Sequence, residues 1–337
     1  MRKPLLLALC ATFLLGVPQR QHAATKQAVR LILDTDIGPD YDDVGAMALM
    51  HALADRGEAR ILATVACNKD ARVVPCIEII NAWYGRKNTP VGAPQGYFAP
   101  RLTTWLHRTD WPGWLVSHFA HATDSTSCAP SAVDVYRRVL SSQPDSSVTV
   151  CTLGFFSNLK ALLASPPDRW SRLTGKDLVA RKVKLLVSMA GGFPTGYEFN
   201  VFNDADASRV VADEWPTPII FSGWEIGTKI FTGNAVRDLP GDMNADPVKA
   251  AYTLALSEDD RPLGRDSWDQ TAALVAIRGA APWFTLRHGR MTVDGKGNNT
   301  WTDDAHGRHA YLVFARPVAE VRDAIEQLMT QKPRHRK

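Results

Sequence analysis

The 337 residues contain no apolar run of the roughly 20 needed to span a bilayer. The nearest approach, Pro4 to Val17, follows Arg2 and Lys3 and precedes a polar segment with small residues at Ala23 and Ala24. That is the layout of a secretory signal peptide, so residues 1–24 are expected to be removed near Ala24 and the protein to be secreted or periplasmic, with no stable membrane anchor after cleavage. An uncleaved anchor is the alternative. Cys10 makes a poor lipoprotein site, because the bulky Leu9 precedes it. Charge of one sign is also scarce. The net +4 comes largely from the termini, as in the basic tail 332–337 (KPRHRK), and no face interleaves aromatic with basic residues. Nucleic acid is therefore not an expected partner. No Ser/Gly/Pro-rich linker and no repeat divides the chain, so residues 25–331 are expected to form a single domain with a full core. Cysteines are few: beyond Cys10 there are Cys67, Cys76, Cys128 and Cys151. Export would permit pairing, in any of three connectivities, whereas burial of Cys67 and Cys151 in predicted strands would leave them as core thiols.

What the chain has in abundance is aspartate in one place. Leu31 to Ala46 (LILDTDIGPDYDDVGA) carries Asp34, Asp36, Asp40, Asp42 and Asp43, five acids in ten residues, at the end of an apolar run. Val29 to Leu33 reads as a buried strand and the apolar spacing after Asp43 as a helix, so the acids fall at the carboxyl end of a strand, where open α/β sheets place ligands. One or two aspartates there would only cap a helix. Five cannot share a small volume unless a cation or protons neutralise them. With no His or Cys in the motif, a hard ion such as calcium or magnesium fits better than zinc. The glycine and glutamate positions of a helix-loop-helix calcium loop do not match. An aspartyl-nucleophile phosphatase would not usually have a glycine where Gly38 stands.

Strand-like runs at Val29 to Leu33, Arg60 to Val65, Ser147 to Leu153, Val183 to Met189 and Thr217 to Phe221 alternate with amphipathic segments at Arg72 to Trp83, Ala132 to Leu140, Ser157 to Ala164 and Ala205 to Ala212. Such alternation predicts an α/β fold with a doubly wound, mostly parallel sheet. Met291 to Phe314 reads as a hairpin and Val318 to Met329 as a closing helix. Leu102 to His118, with Trp105, Trp111 and Trp114 at no clean period, reads as a long surface loop. Either it is a lid or its tryptophans staple an insertion to the body.

Five segments in order resemble the inosine/uridine-preferring nucleoside hydrolases. Asp34, Thr35, Asp36, Gly38, Asp42 and Asp43 resemble the opening signature, in a variant with two extra residues before the aspartate pair. Ala63 to Asn68, Val148 to Leu162, Met189 to Ala207 (MAGGFPTGYEFNVFNDADA) and Ser267 to Leu274 (SWDQTAAL) resemble later ones. The resemblance implies a Rossmann-like nucleoside hydrolase fold and a calcium-dependent hydrolase of N-ribosyl bonds, acting on a small nucleoside or riboside as a homodimer or homotetramer. It implies Asp36, Asp43, Asp269 and the carbonyl of Leu153 as metal ligands, and Asp36 or Asp42 as the base for the attacking water. Asn68, Glu198 and Asn200 are similar to ribose-holding residues. The longer loop leaves Asp40 as an alternative to Asp42, as hydroxyl ligand or base.

Two departures bear on substrate. In well-known members a histidine that serves the leaving base stands before the late aspartate, and here that place belongs to Trp268, which has no proton to give at neutral pH. The asparagine usual in the Gly-Gly loop has no clear counterpart in Gly192 to Tyr197. His107, His118, His121 and His306 are conceivable substitutes, and Glu225 beside Trp224 is a conceivable orienting partner. A noncatalytic ribose- or nucleoside-binding protein on the same scaffold is thus the alternative to an enzyme.

Overall fold

Alternating apolar and polar stretches wind this chain outward from its centre in two directions. The computed structural model describes residues 27–102, 109–257 and 262–334. The expected leader, Trp105, His107 and the last three residues of the basic tail lie outside the described residues. From β1 (Val29–Thr35) the chain runs through α1 (Asp42–Asp55), β2 (Ala59–Ala66), α2 (Val73–Trp83) and β3 (Val91–Gly92) towards one edge. After α3 (Trp111–His118) and α4 (Ala132–Ser141) it returns to the centre as β4 (Val148–Thr152), beside β1. It then passes through α5 (Ser157–Leu163), α6 (Gly175–Lys182), β5 (Val183–Met189), β6 (Thr195–Tyr197), α7 (Phe199–Asn203), α8 (Ala205–Glu214) and β7 (Ile219–Ser222). Short elements follow: α9 (Trp224–Gly227), β8 (Phe231–Thr232), α10 (Asn234–Arg237), α11 (Pro247–Leu256) and β9 (Arg265–Asp266). The chain ends with α12 (Trp268–Arg278), β10 (Phe284–Val293), β11 (Asn298–Asp303), β12 (His309–Phe314) and α13 (Val318–Met329).

Ten strands form one sheet in the order β3-β2-β1-β4-β5-β7-β12-β10-β11-β6, parallel from β3 to β12 and antiparallel beyond. Alternate side chains of a strand serve opposite faces. Leu31 and Leu33 of β1 join the layer of α1, α2, α11, α12 and α13, while Ile32 joins that of α4, α5, α6 and α8. The expected doubly wound fold in a single domain is thus present. Helix α1 is buried at every position but Ala54, because sheet and helices enclose it. Gly45 makes this possible: a Cβ there would stand 2.5 Å from Gln270 Nε2 of α12 and 2.9 Å from Met329 Cε of α13.

Three expectations are refined. The C-terminal hairpin is a three-stranded meander that begins at Phe284, with β6 added to its edge. The Trp-rich stretch contains α3, capped by Asp110, which accepts from the Gly113 amide at 3.0 Å. There Trp111 is fully buried against the α1 layer, so it staples the segment to the body. All four described cysteines are unpaired, with Cys67, Cys76 and Cys151 buried and Cys128 exposed. No helix among the described residues is long and apolar enough to cross a membrane.

Candidate active site

The chain leaves β1 towards β2 and leaves β4 towards β5, so the carboxyl ends of β1 and β4 border the crevice where the winding reverses. Asp36 follows β1 directly, and Leu153 and Gly154 follow β4. A side chain at Gly154 would collide with Asp36, its Cβ lying 2.6 Å from the carboxyl carbon, so glycine is what admits the aspartate. Asp42 and Asp43 occupy the first turn of α1, and Asp269 that of α12. Both helix amino ends therefore point their partial positive charge at the same place.

Oxygens of Asp42, Asp43 and Asp269 all lie within 4.8 Å of one another. The Asp269 amide donates to Asp42 Oδ2 at 3.1 Å, and the Thr35 hydroxyl donates to Asp43. Asp36 stands outside that triad but lines the same pocket, of 190 Å³. Burial, and after it the neighbouring carboxylates, pushes the carboxyls of Asp36, Asp42 and Asp269 far above the usual range, while burial raises Asp43 to about 7. Buried carboxylates at such spacing must be neutralised by a cation or by protons. The donors are all oxygen, so the cluster fits a hard divalent cation, as the sequence suggests.

The other expected residues take distinct places. Glu198 lines the pocket and caps α7, accepting from the amides of Gly191 and Asn200 at 2.9 Å and Val201 at 3.3 Å. Burial lifts its carboxyl to about 7. Asn200 donates its side-chain amide to the carbonyls of Leu153 at 2.7 Å and Met189 at 3.0 Å, tying the β4 and β5 ends together. Asn68 is fully buried behind the pocket, where its amide donates to the carbonyls of Leu102 and Asp36. Trp268 lines the opening with Trp224 and donates its indole N–H to the Trp224 carbonyl at 2.9 Å. Asp40 lines the pocket too, in a two-bond ion pair with Arg265.

Some residues do something other than the sequence suggested. Asp34 does not line the pocket: it is fully buried and accepts from Tyr136 Oη at 2.8 Å and Asn158 Nδ2 at 3.0 Å. The Asn158 side-chain amide also donates to the Ala66 carbonyl at 2.7 Å, so it ties β1 to β2. Glu225 accepts from the Phe193 amide at 3.1 Å and braces the Gly-Gly loop. His118 stacks on Trp114, His121 meets the Thr123 carbonyl, and His306 sits in the β11–β12 turn, none of them lining the pocket. Sequence reasoning missed Arg265, Met189 and Phe199. Only Arg265 offered a signal, as a cation four residues before Asp269.

The sequence pattern of the inosine-uridine preferring nucleoside hydrolases matches residues 31–321. The chain belongs to that family. Hydrolysis of the N-ribosyl bond is accordingly its chemistry, and nucleoside hydrolases act on small-molecule nucleosides. No curated protein matches the sequence significantly. Among solved structures, this family member resembles the inosine-uridine preferring nucleoside hydrolase from Bacillus anthracis, at 16% identity and a TM-score of 0.66, covering 90% of this chain and 99% of that one. A plant nucleoside hydrolase aligns at 19% identity and a TM-score of 0.64, over 90% and 99% of the two chains. The type III effector XopQ, solved with adenosine diphosphate ribose, aligns at 15% and 0.65, over 91% and 94%. At these identities the likeness is one of fold.

Proposed function

We propose that this protein is an exported, calcium-dependent hydrolase that splits ribonucleosides or related N-ribosides into base and free ribose. The observation that carries the reading is the convergence of Asp42, Asp43 and Asp269, with Asp36 alongside, in one pocket at the reversal point of a nucleoside hydrolase sheet. Asp36, Asp43, Asp269 and the Leu153 carbonyl would hold the cation, with Asp42 beside them. When bound, such an ion supplies Lewis acidity and a grip on vicinal sugar hydroxyls.

The chain's own residues do the rest. Asp36 or Asp42, both of which line the pocket, takes the proton of the attacking water. Asn200 turns its amide nitrogen to two carbonyls, so its amide oxygen is the group offered to a sugar hydroxyl. Glu198 borders the sugar while fixing the Gly-Gly loop, and Asn68 fixes the Asp36 turn from behind. The pocket is smaller than the roughly 300–1,000 Å³ of drug-sized sites, which suits a sugar held inside and a leaving base at the rim. There the indoles of Trp224 and Trp268 offer faces for stacking. Trp268 already gives its N–H to a carbonyl, so it does not protonate the departing base.

Release of ribose from purine, pyrimidine and nicotinamide ribosides, with calcium and after chelation, tests the reading. Calcium-dependent release is expected. Calcium-dependent binding without release would favour the noncatalytic ribose-binding alternative, which Trp268 in place of a proton donor motivates. Export predicts a mature amino terminus near Ala24, readable by mass, and the family likeness a homodimer or homotetramer, readable by light scattering.

A further inference from the structure

The β1–α1 loop carries a carboxylate that the cluster does not use. Asp40 lines the pocket, yet Arg265 Nε donates to its Oδ1 at 2.9 Å and Arg265 Nη2 donates to its Oδ2. The Tyr41 amide also donates to Oδ1, at 2.6 Å. The Arg265 side chain is only 8% exposed. Its guanidinium carbon lies 5.2 Å from the centre of the Trp268 ring and 5.6 Å from that of Tyr41, so two aromatic rings fix the plane that grips the carboxylate. Asp266 Oδ2 stands 3.8 Å from its third nitrogen. A planar donor fork with aromatic packing is a more rigid holder of a carboxylate than a lysine would be.

We propose that Arg265 is a positioning residue that clamps Asp40 into the pocket wall and cancels its charge, leaving the cation to Asp36, Asp43, Asp269 and the Leu153 carbonyl. The proposal rests on the cation-dependent reading above. It gives the longer loop a purpose, since the loop carries an acid whose partner, 225 positions away, also backs the face of Trp268. Without Arg265, the Asp40 carboxylate adds to the negative field of the cluster. Without Asp40, the Arg265 guanidinium has one carboxylate fewer beside it and repels the cation more strongly.

Calorimetric titration of calcium into the full chain decides the matter, because it needs no turnover. R265Q should bind calcium about fivefold or more tightly than the unmodified protein and D40N about fivefold or more weakly, while the double variant returns to within about twofold. R265K, which keeps the charge, should also stay within about threefold. D40N and D40A should weaken calcium alike, as loss of a charge requires, whereas loss of a ligand would be milder in D40N, whose amide oxygen can still coordinate; this arm stands even if R265Q fails to fold. An equal loss in D40N and the double variant, or a loss clearly greater in D40A than in D40N, would make Asp40 itself a ligand and overturn the proposal. Identical affinity in all variants would overturn it too, by reducing the pair to scaffolding. An unmodified chain that binds no calcium would overturn the functional reading itself.

Discussion

Asp34→Asn separates a carboxylate that builds the fold from those that build the cluster. Asp34 accepts one bond from Tyr136 Oη at 2.8 Å and two from Asn158 Nδ2, at 3.0 and 3.1 Å, with no solvent exposure. An asparagine replaces one of those acceptor oxygens with a donor, so it faces either an amide or a hydroxyl that is itself donating. One buried donor is then left unpaired, at a cost of about 1–3 kcal/mol. At roughly 2–4 °C per kcal/mol for a chain of this order of size, melting should fall by about 2–12 °C. Calcium affinity should change by less than about threefold, since Asp34 does not line the pocket. Asp43→Asn should behave in the opposite way. Its Oδ1 can still accept from Thr35, so the metal-free fold survives, but the triad loses one of three anionic oxygens. A loss of about 100-fold or more in calcium affinity is expected, because ligand charge sets affinity over decades. Urea and thermal unfolding in chelator, beside calcium titration of both variants, make the comparison. Were Asp34→Asn to lose calcium as Asp43→Asn does while melting like the parent, the assignment of Asp34 to the scaffold would be refuted.

Gly154→Ala should destabilise by about 1–3 kcal/mol through overpacking and weaken calcium binding, because its Cβ would stand 2.6 Å from the Asp36 carboxyl carbon; normal affinity in a well-folded variant would count against Asp36 as part of the site. His51 is fully buried between Asn81 and Arg86, and burial followed by the Arg86 charge lowers its pKa to about 3. The folded ring stays neutral while the unfolded one protonates below about 6.5, so stability present above that pH is lost as pH falls towards 3, at up to about 1.4 kcal/mol per pH unit. Urea midpoints from pH 7 to 4 should therefore fall less steeply in His51→Gln, and an unchanged slope would discount this group. Nicotinamide riboside, whose base leaves neutral without a proton, should be cleaved with a higher kcat/KM than inosine if Trp268 leaves the site without a donor; the reverse order in a ribose-release assay would point to an acid elsewhere.

Local signals in the chain made most of the fold legible. Residues 183–189 and 318–329 carry uninterrupted strand and helix patterns, and the elements found there have those bounds. The part of β10 before Met291 was not legible, because Arg287, His288 and Arg290 face solvent on a strand whose apolar partners come from β12. Within the site, Asp42, Asp43 and Asp269 were visible as acids at helix starts. What no local pattern could reveal was how the loop's acids divide: Asp34 turns to Tyr136 and Asn158, and Asp40 to Arg265, partners more than 100 residues distant in the chain. Hydrogen bonds of that kind are set by the winding of the sheet and leave no periodicity in the sequence.

The amino ends of α1 and α12 bear on why the cluster can exist at all. Each helix end favours a nearby carboxylate by about 0.3–1 kcal/mol, up to about 2 when partly buried. Taking a carboxylate out of water costs several kcal/mol per ion. Two dipoles thus fall short of offsetting three converging acids, and the shortfall must be met by protons or a cation, or else drawn from the stability of the surrounding fold. Helix α1 shows where that stability resides. It is enclosed on nearly every side, and Gly45 lets α12 and α13 pack closely against it. A helix so enclosed cannot swing its first turn away to relieve the repulsion between Asp42, Asp43 and Asp269. The carboxylates are consequently held at ligand spacing before any ion arrives, so the work of assembling the site is done by the core rather than by the ion.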